Sequence, residues 1–386
     1  MAQKKIYDII IAGAGSVGTA CAFFMSQAGL KVLVIECLPS SGQASNKHAI
    51  GGVRATFSDP SKIFLGSKGI EVFSTWQATY GDDIEWYQGG YSFVAYDETI
   101  ESSLKELLGI QQNLGLNIAW LDRDQILKLA HDLNPQDLRG GTYSPEDGSA
   151  SPLKANYAFY SHALQQGAEF QFNEKVLGVE KANGKVNGVR TNQGTYFCKT
   201  FINAAGSWAA EISEMLGIKI PVKPDAHEAG ITESVQPMFS PMIVDIRERP
   251  GSSNFYFYQH PSGKIIFCVT PNPQIWGLHD QDTGSFLPLA CRRLIETMPR
   301  LANCRVRRTW RGTHPMTPDG NPLLGTVPQM DGYLLAAGLC GQGFMLGPGV
   351  AKLLTNLVLD NLSPEEKACL EANRYNREFT TTEKLK

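Results

Sequence analysis

The segment from Ile9 to Glu36 places three glycines between an apolar run and a helix-like stretch. Gly13, Gly15 and Gly18 follow the pattern G-x-G-x-x-G. In this pattern the first glycine allows a tight turn, the second lets the backbone approach a pyrophosphate, and the third lets helix and strand pack closely. The phosphates would lie at the helix N-terminus, where free N–H groups and the helix dipole favour an anion. The spacing therefore predicts a dinucleotide site.

An acidic residue completes this pattern. Glu36 ends the second apolar run, 18 residues after Gly18. Its carboxylate could accept hydrogen bonds from both ribose hydroxyls of the adenosine half of a dinucleotide. The alternative is a glycine turn that serves packing alone. A strand, a glycine turn, a helix, a second strand and an acid in this order favour dinucleotide binding over that alternative.

Two further glycine-rich segments occur late in the chain, at Ala204–Gly206 and Gly338–Gly343. A nicotinamide enzyme usually completes its nucleotide domain before its substrate domain begins. FAD is longer and needs support from several separate segments. Both late segments suit backbone contact with such a cofactor, so the sequence favours FAD over NAD.

Hydrophobic periodicity predicts the elements that position these glycines. We expect a buried strand over Ile6–Ala12, a helix over Ser16–Ala28 that Gly29 ends, and a strand over Lys31–Glu36. This βαβ unit implies a parallel sheet, because parallel strands need a crossover connection. Other predicted elements are helices over 58–80, 99–114, 123–133, 152–166 and 285–298, after 343–349 and after Ser363, and short strands over 221–310, with Ser58 or Asp59, Ser151 and Ser363 as N-caps.

Composition narrows the class of protein. A chain of 386 residues suggests two structural domains. Its 38 acidic and 35 basic side chains give a net charge of −3, which offers no general electrostatic case for nucleic acid or an anionic membrane. No apolar segment approaches the ~20 residues that span a bilayer. The eight cysteines form no CxxC pair and no Cys/His cluster, so we expect no metal site and a reducing, cytoplasmic location.

Five segments together resemble the D-amino-acid oxidase-like (DAO) family of FAD-dependent amine oxidoreductases. Within that family the chain is most similar to the group of sarcosine oxidase, dimethylglycine dehydrogenase and the L-proline dehydrogenase β-subunit. The segments follow the family's order and span nearly the whole chain. They are "IIIAGAGSVGTACAFFMSQAG", "KVLVIE", "FINAAGSWA", "RTWRGTHPMTPDGNPLLG" and "GLCGQGFMLGPGVAKLL".

The resemblance implies an α/β (α+β) fold in which a Rossmann-like FAD-binding domain is interleaved with an antiparallel-sheet substrate domain. We expect the FAD-binding domain to comprise residues 1–85, 146–220 and 311–386. The substrate-binding domain would comprise residues 86–145 and 221–310.

The resemblance also implies a reaction. The expected activity is oxidation of the C–N bond of a small secondary or tertiary amino acid, similar to sarcosine, dimethylglycine or proline, by hydride transfer to flavin N5. One alternative is an FAD-dependent 2-hydroxy-acid dehydrogenase of the L-2-hydroxyglutarate type, which needs a base for the hydroxyl proton. A second alternative is an FAD-carrying subunit of a larger complex without activity of its own.

Several substrate contacts follow from the resemblance. Arg54 falls where sarcosine oxidases bind the substrate carboxylate, and a planar guanidinium suits bidentate capture of a carboxylate; the alternative is a surface ion pair. His314 replaces a carboxylate-binding arginine of glycine-oxidase-like relatives, and a structural histidine is the alternative. Tyr256 and Tyr258 would face one side of a strand and line a pocket or, alternatively, form a core stripe. Met345 replaces a substrate-binding lysine and offers apolar contact only.

His48 lies in "SNKHAIGG", which resembles a dimethylglycine dehydrogenase stretch whose histidine is joined covalently to flavin. The alternative is a neutral histidine that lines the pocket. Either His48 or His314 could act as the base in the hydroxy-acid alternative. The catalytic candidates are thus His48, Arg54, Tyr258 and His314.

The cofactor contacts come from the glycine motif and the resemblance together. Ser45 could donate to phosphate, Val176 could contact adenine through its backbone, and the helix after the late glycines would point its N-terminus at the flavin pyrimidine. The candidate FAD-binding residues are Gly13, Gly15, Ser16, Val17, Gly18, Glu36, Ser45, His48, Val176, Ala205, Gly206, Trp208, Gly341, Gln342, Gly343, Phe344 and Met345.

The positions of lysine residues indicate which electron acceptor reoxidises the flavin. The family lysine that promotes reaction with oxygen would fall near Phe267–Val269, where this chain has none, although Lys264 is close. Without a fixed positive charge there, reduced flavin should react slowly with oxygen. We therefore expect a dehydrogenase, with an electron-accepting partner subunit or protein.

Overall fold

The computed structural model describes residues 5–380 and 382–385, whose strands form two large sheets and one two-stranded sheet. The strands are β1 (Ile6–Ala12), β2 (Val32–Ile35), β3 (Gly52–Val53), β4 (Tyr91–Ala95), β5 (Ala119–Asp122), β6 (Gly140–Ser144), β7 (Gly148–Ser149), β8 (Glu169–Gln171), β9 (Val176–Ala182), β10 (Lys185–Thr191), β11 (Thr195–Asn203), β12 (Lys223–Ser234), β13 (Met242–Asp245), β14 (Gly251–Gln259), β15 (Lys264–Asn272), β16 (Val306–Met316), β17 (Leu323–Val327) and β18 (Met330–Ala337).

The helices alternate with these strands in the first part of the chain. They are α1 (Ser16–Gln27), α2 (Pro60–Tyr80), α3 (Glu98–Asn113), α4 (Arg123–Leu129), α5 (Pro152–Gln165), α6 (Ala209–Glu214), α7 (Phe286–Thr297), α8 (Gly343–Val358) and α9 (Pro364–Ala372), with short 3-10 helices at Ser45–His48, Gly206–Trp208 and Pro299–Asn303. Across the ranges that the structure describes, no helix combines the length and apolar character needed to cross a membrane.

Side-chain caps set where several helices begin. The Asp59 carboxylate accepts from the Ser61 N–H at 2.8 Å at the start of α2, and Ser151 caps α5 with proline in the first turn. Ser363 and Glu366 form the capping box of α9. Gly29, with φ +83°, follows the end of α1. These local predictions are confirmed because each depends on neighbouring residues only.

The first large sheet is built on the predicted βαβ unit. Strands β8, β2, β1, β11 and β18 lie side by side and run parallel, and β17 adds an antiparallel edge. The hairpin of β9 and β10 joins the first part of β11. All four residues of β2 are buried, as expected for a strand covered on both faces. Helix α1 packs against α5 and α8, and α2 packs against α8.

The second large sheet has the strand order β16-β12-β15-β14-β13-β4-β6-β5 and is antiparallel except where β13 runs parallel to β4. Phe255 and Phe257 on β14 face one apolar cluster beneath α7, while Tyr256 and Tyr258 face the cluster on the other side. The predicted alternation is therefore confirmed.

The expected fold class, a mixed α/β fold with a parallel and an antiparallel sheet, is confirmed. Strands of the second sheet come from residues 91–144 and 223–316. One of them, β16, crosses the boundary placed at residue 310. The division into two domains stays a prediction.

Candidate active site

A cavity of about 740 Å³ lies between the two large sheets. One wall comes from the carboxyl ends of β1, β2 and β11 and from the start of α8. The opposite wall comes from β4, β12, β14, β15 and β16. Ligands of open α/β sheets bind at the carboxyl ends of the strands, so this cavity is the candidate site.

The glycine turn at one end of the cavity has three distinct roles. Gly13 has φ +102°, and a Cβ on it would lie 2.6 Å from the Ala204 carbonyl oxygen. A Cβ on Gly18 would lie 1.8 Å from the Gly13 carbonyl oxygen. A Cβ on Gly15 would meet no atom within 4 Å, although Gly15 lines the cavity. The turn thus needs two glycines for its own packing and leaves open space over the third.

Glu36 is buried at the cavity wall beside this turn. Its Oε2 accepts from the Ala14 N–H at 2.7 Å, and its Oε1 accepts from the Leu38 N–H at 2.9 Å. Each carboxylate oxygen can accept a further bond. These two backbone donors, which the motif did not reveal, fix the carboxylate where hydroxyls of a ligand could reach it.

Two helix N-termini open into the cavity. Neither α1 nor α8 has a side-chain cap, and residues at or just before each start line the cavity wall. The Gln342 side chain, just before α8, is buried, and its Oε1 has no partner within the described ranges. Uncapped N–H groups at a cavity wall are suited to an anionic ligand group, and the Gln342 Oε1 can accept a hydrogen bond from a ligand donor.

Most predicted cofactor residues lie at this cavity. Val17 and Gly18 are absent from its lining: Val17 is buried within α1, and Gly18 packs against the turn. Trp208 stays 39% exposed. The predicted residues that line the cavity are Gly13, Gly15, Ser16, Glu36, Ser45, His48, Val176, Ala205, Gly206, Trp208, Gly341, Gln342, Gly343, Phe344 and Met345.

Two of these residues are already engaged with β16. The Ser45 hydroxyl donates to the Thr313 carbonyl at 2.9 Å, so donation to a phosphate would require that bond to break. The His48 carbonyl accepts from Trp310 Nε1 at 2.8 Å. Burial, with Lys47 and Arg308 nearby, lowers the pKa of the His48 imidazole. The lowered pKa favours the neutral imidazole, which fits both a histidine joined covalently to flavin and one that only lines the pocket. Covalent attachment stays a prediction.

Arg54 is 5% exposed and lines the substrate side of the cavity. Its guanidinium lies over the rings of Phe57 and Phe93, at 4.0 and 5.3 Å from their centroids. It donates to the carbonyls of Thr56 and Leu385. No carboxylate of the described residues forms a salt bridge with it. Arg54 is therefore not a surface ion pair but a buried cation at the cavity wall.

Of the two tyrosines predicted to line a pocket, Tyr256 lines the cavity and Tyr258 does not. Tyr256 lines the cavity, its hydroxyl bonds with Cys268, and burial raises its pKa well above the ordinary value. The Tyr258 hydroxyl donates to the Ile50 carbonyl at 2.5 Å, and Tyr258 does not line this cavity. Facing the same side of β14 was not sufficient, because position along the strand decides which ring reaches the cavity.

His314 lies in the cavity within a cluster that the sequence did not reveal. Asp225 and His227, two apart on β12, share a face, and β12 pairs with β16 so that Asp225 lies opposite His314. His227 Nε2 is 3.0 Å from Asp225 Oδ2, and the His227 and His314 rings stack at 3.8 Å. Burial and the neighbouring His227 lower the pKa of His314 well below its usual value. This environment favours the neutral form of the His314 ring.

Asp225 and His227 form a buried hydrogen-bonded pair. A carboxylate only accepts hydrogen bonds, so a proton on His227 Nε2 would point toward Asp225, and in the neutral imidazole Nδ1 would then carry the lone pair. Nδ1 is buried and has no partner in the described part of the chain. Both residues line the cavity. The only sequence signal was the spacing D-x-H on a strand, which is common in cores.

The fold and the site define a dinucleotide-dependent enzyme whose second cavity wall carries a buried arginine and a hydrogen-bonded aspartate–histidine pair. The chain belongs to the DAO family, since the family model described as FAD dependent oxidoreductase matches residues 8–357. The resemblance in the motifs is confirmed.

Individual relatives cover almost the whole chain. The hydrogen cyanide synthase subunit HcnC of Pseudomonas aeruginosa is 26% identical, with 97% of this chain and 98% of the relative covered. Glycine oxidase of Bacillus licheniformis is 23% identical, with 97% and 98% covered. A crystal structure of L-proline dehydrogenase from P. horikoshii has a TM-score of 0.90 at 27% identity, covering 97% of this chain and 98% of its own.

The chain is thus an FAD-dependent amine or amino-acid oxidoreductase. The open space over Gly15, the anchored carboxylate of Glu36 and the two uncapped helix ends suit FAD. The α1 end would hold its pyrophosphate, Glu36 its ribose, and the α8 end with Gln342 its flavin.

Proposed function

We propose that the protein oxidises the C–N bond of a small secondary or tertiary amino acid, similar to sarcosine, dimethylglycine or proline. The observation that carries this proposal is Arg54, a buried cation at the cavity wall with two backbone bonds and no carboxylate partner among residues 5–380 and 382–385. Burying a charge that forms no direct ion pair is costly, and a substrate carboxylate bonded to the guanidinium would offset that cost. Such a substrate would bind with its carboxylate at Arg54.

The Asp225–His227 pair would act on the amine. An amino acid arrives largely as an ammonium, which has no lone pair to assist hydride loss. His227 Nδ1 would accept the ammonium proton, and Asp225 would hold the ring in the tautomer that leaves Nδ1 free. Neutral His314, stacked on His227, adds no positive charge that would oppose protonation of its neighbour.

The remaining side chains would orient the substrate. Tyr256 and Met345 line the cavity and would contact the substrate carbon chain. Bound FAD supplies the hydride acceptor for the carbon next to nitrogen. The protein's part is therefore to bind the carboxylate, remove a proton and hold the substrate in one orientation.

An anaerobic substrate screen tests this function. Enzyme loaded with FAD is mixed with N-methylated amino acids, proline, primary amino acids and 2-hydroxy acids, and flavin bleaching is recorded. We expect bleaching by at least one secondary or tertiary amino acid, with hydroxy acids inactive. Bleaching by primary amino acids alone would contradict the proposed substrate class.

The Asp225–His227 pair also favours a second candidate, oxidation of a 2-hydroxy acid, because that reaction needs a base for the hydroxyl proton. Bleaching by hydroxy acids and not by amines would select it. Failure of every small substrate, both in the isolated chain and in the native complex, would instead favour an FAD-carrying subunit without activity of its own.

We also propose that electrons leave to a partner subunit or protein rather than to oxygen. Cys268 stands at the cavity wall where a lysine was sought, and Lys264 is exposed and outside the lining. A relative is itself named as a subunit, which supports the proposal. Stopped-flow reoxidation of substrate-reduced enzyme should be slow with oxygen and fast with an artificial dye. Rapid oxygen consumption with stoichiometric peroxide would make the enzyme an oxidase.

A further inference from the structure

The segment of residues 382–385 is packed against Arg54. Glu383 and Leu385 are buried, whereas Lys384 between them is exposed. The Leu385 carbonyl accepts a hydrogen bond from the Arg54 guanidinium. The Leu385 side chain belongs to an apolar cluster with Phe93, whose ring also lies under Arg54. The segment therefore touches Arg54 through its main chain and through a shared ring.

One carboxylate holds this segment in place. Glu383 accepts hydrogen bonds from the Ser58 N–H at 2.8 Å, the Ser58 hydroxyl at 2.8 Å and the Asp59 N–H at 3.1 Å. It also accepts from the N–H of Leu385 at 2.8 Å, and its own N–H donates to the Asp319 carbonyl at 2.9 Å. The segment folds around the Glu383 side chain, and this fixes the position of the Leu385 carbonyl.

The Glu383 carboxylate also acts electrostatically on two buried cations, Lys62 and Arg54. Glu383 lies 3.9 Å from Lys62 Nζ, and both side chains are fully buried. Lys62 and Arg54 lie over the same Phe57 ring, at 4.5 and 4.0 Å. Burial lowers the pKa of Lys62 to about 8 and lowers the pKa of Arg54, and the charge of Glu383 opposes both shifts. Arg54 is thus stabilised by the charge of Glu383, which does not bond to it.

We propose that residues 382–385 form part of the substrate carboxylate site, with Glu383 and Leu385 as positioning residues for Arg54. The Leu385 carbonyl holds one side of the guanidinium, and Glu383 supplies negative charge without capping it. The remaining N–H donors stay available to a ligand carboxylate. This inference rests on the proposed function of Arg54. It predicts that the segment affects binding of anionic ligands and not of neutral ones.

A pair of matched ligands tests the proposal on the FAD-loaded enzyme. Acetate and acetamide have the same shape and differ in charge, and their binding can be followed by the change in flavin absorbance. Glu383→Gln should raise the Kd of acetate about tenfold and leave that of acetamide unchanged, because only the charge-assisted contact is disturbed. Lys384→Ala, which changes an exposed side chain in the same segment, should leave both values unchanged.

A second variant, Leu385→Ala, and a second background, Arg54→Met, complete the test. Leu385→Ala keeps every main-chain group and removes only the buried side chain, so it should show the same selective loss of acetate even if Glu383→Gln does not fold. In an Arg54→Met background neither change should weaken acetate further. An equal loss for acetate and acetamide, or no loss for either, would overturn the proposal. If Arg54→Met itself leaves acetate binding unchanged, the proposed role of Arg54 fails instead.

Discussion

The two ends of the cavity recognise ligands by different means. The dinucleotide end uses main-chain groups: the glycine turn, the Ala14 N–H that fixes Glu36, and the starts of two helices. The substrate end uses side chains from separate strands, among them Arg54, His227 and Tyr256. Main-chain recognition needs particular residues at fixed spacing, so it leaves a motif. Side-chain recognition needs only that strands pair in one register, so it leaves almost no local signal.

The greatest change is expected at the dinucleotide end, where Gly18 is needed for packing and Gly15 leaves space for a ligand. Gly18→Ala would place a Cβ 1.8 Å from the Gly13 carbonyl oxygen, so we expect loss of FAD and a stability cost of about 1–3 kcal/mol or more. Gly15→Ala meets no atom within 4 Å and should leave the stability of the apoprotein within about 0.5 kcal/mol while weakening FAD binding. Thermal melts with and without FAD measure both. Equal destabilisation of the two apoproteins would contradict the distinction.

A somewhat smaller effect is expected at His227, the proposed base. His227→Gln should lower kcat/KM about 100-fold near neutral pH. The loss should shrink at high pH, where more of the amine is already neutral in solution. Asp225→Asn should give a milder loss of the same form. The pH profile of kcat/KM is the measurement, with His131→Gln, a change at an exposed histidine, as the control. A loss that stays constant across pH would mean that His227 does not take the ammonium proton.

The next smaller effect is expected at Arg54, the proposed binding residue for the substrate carboxylate. Arg54→Met should lower kcat/KM for carboxylate substrates about tenfold to hundredfold, because a charge-assisted hydrogen bond contributes about 1.5–3 kcal/mol. Arg54→Lys keeps the charge, loses the planar fork and should lie between Met and the wild type. Arg300→Met, at an exposed arginine paired with Asp132, is the control. Unchanged kcat/KM would assign the carboxylate to another residue, with His314 tested next.

Asp147 is buried and lies outside the cavity lining, so a change there should affect folding stability rather than catalysis. Burial raises the pKa of this carboxyl to about 7, although the Ala55 N–H and the Thr56 hydroxyl bond to it. The folded protein therefore keeps this proton between pH about 4 and 7 while the unfolded chain loses it, so its stabilising contribution falls as pH rises through this range.

Asp147→Asn removes that dependence. Relative to the wild type, the variant should gain on the order of a few kcal/mol of unfolding free energy between pH 4 and pH 7, since each pKa unit corresponds to about 1.4 kcal/mol. Denaturant melts of both proteins at several pH values give the difference. A constant difference would show that Asp147 does not titrate in this range.

Elements with local geometry could be predicted from the amino-acid sequence. The strand β1, the start of α1 at the glycine turn and the caps of α2, α5 and α9 depend on neighbouring residues, and each was predicted. The motifs that carry the family resemblance are contiguous for the same reason, because main-chain contacts to one long cofactor impose residue types at fixed positions.

The substrate end depends on contacts between distant parts of the chain, which the sequence did not reveal. The pairing of β12 with β16 brings Asp225 and His227 to His314, although the two strands are about 80 positions apart in the sequence. Position along β14 turns Tyr256 into the cavity and leaves Tyr258 bonded to Ile50. The segment 382–385 reaches Arg54 across 331 positions. These contacts join side chains whose types are common in any chain, so no local pattern distinguishes them until the strands pair and the charges are buried together.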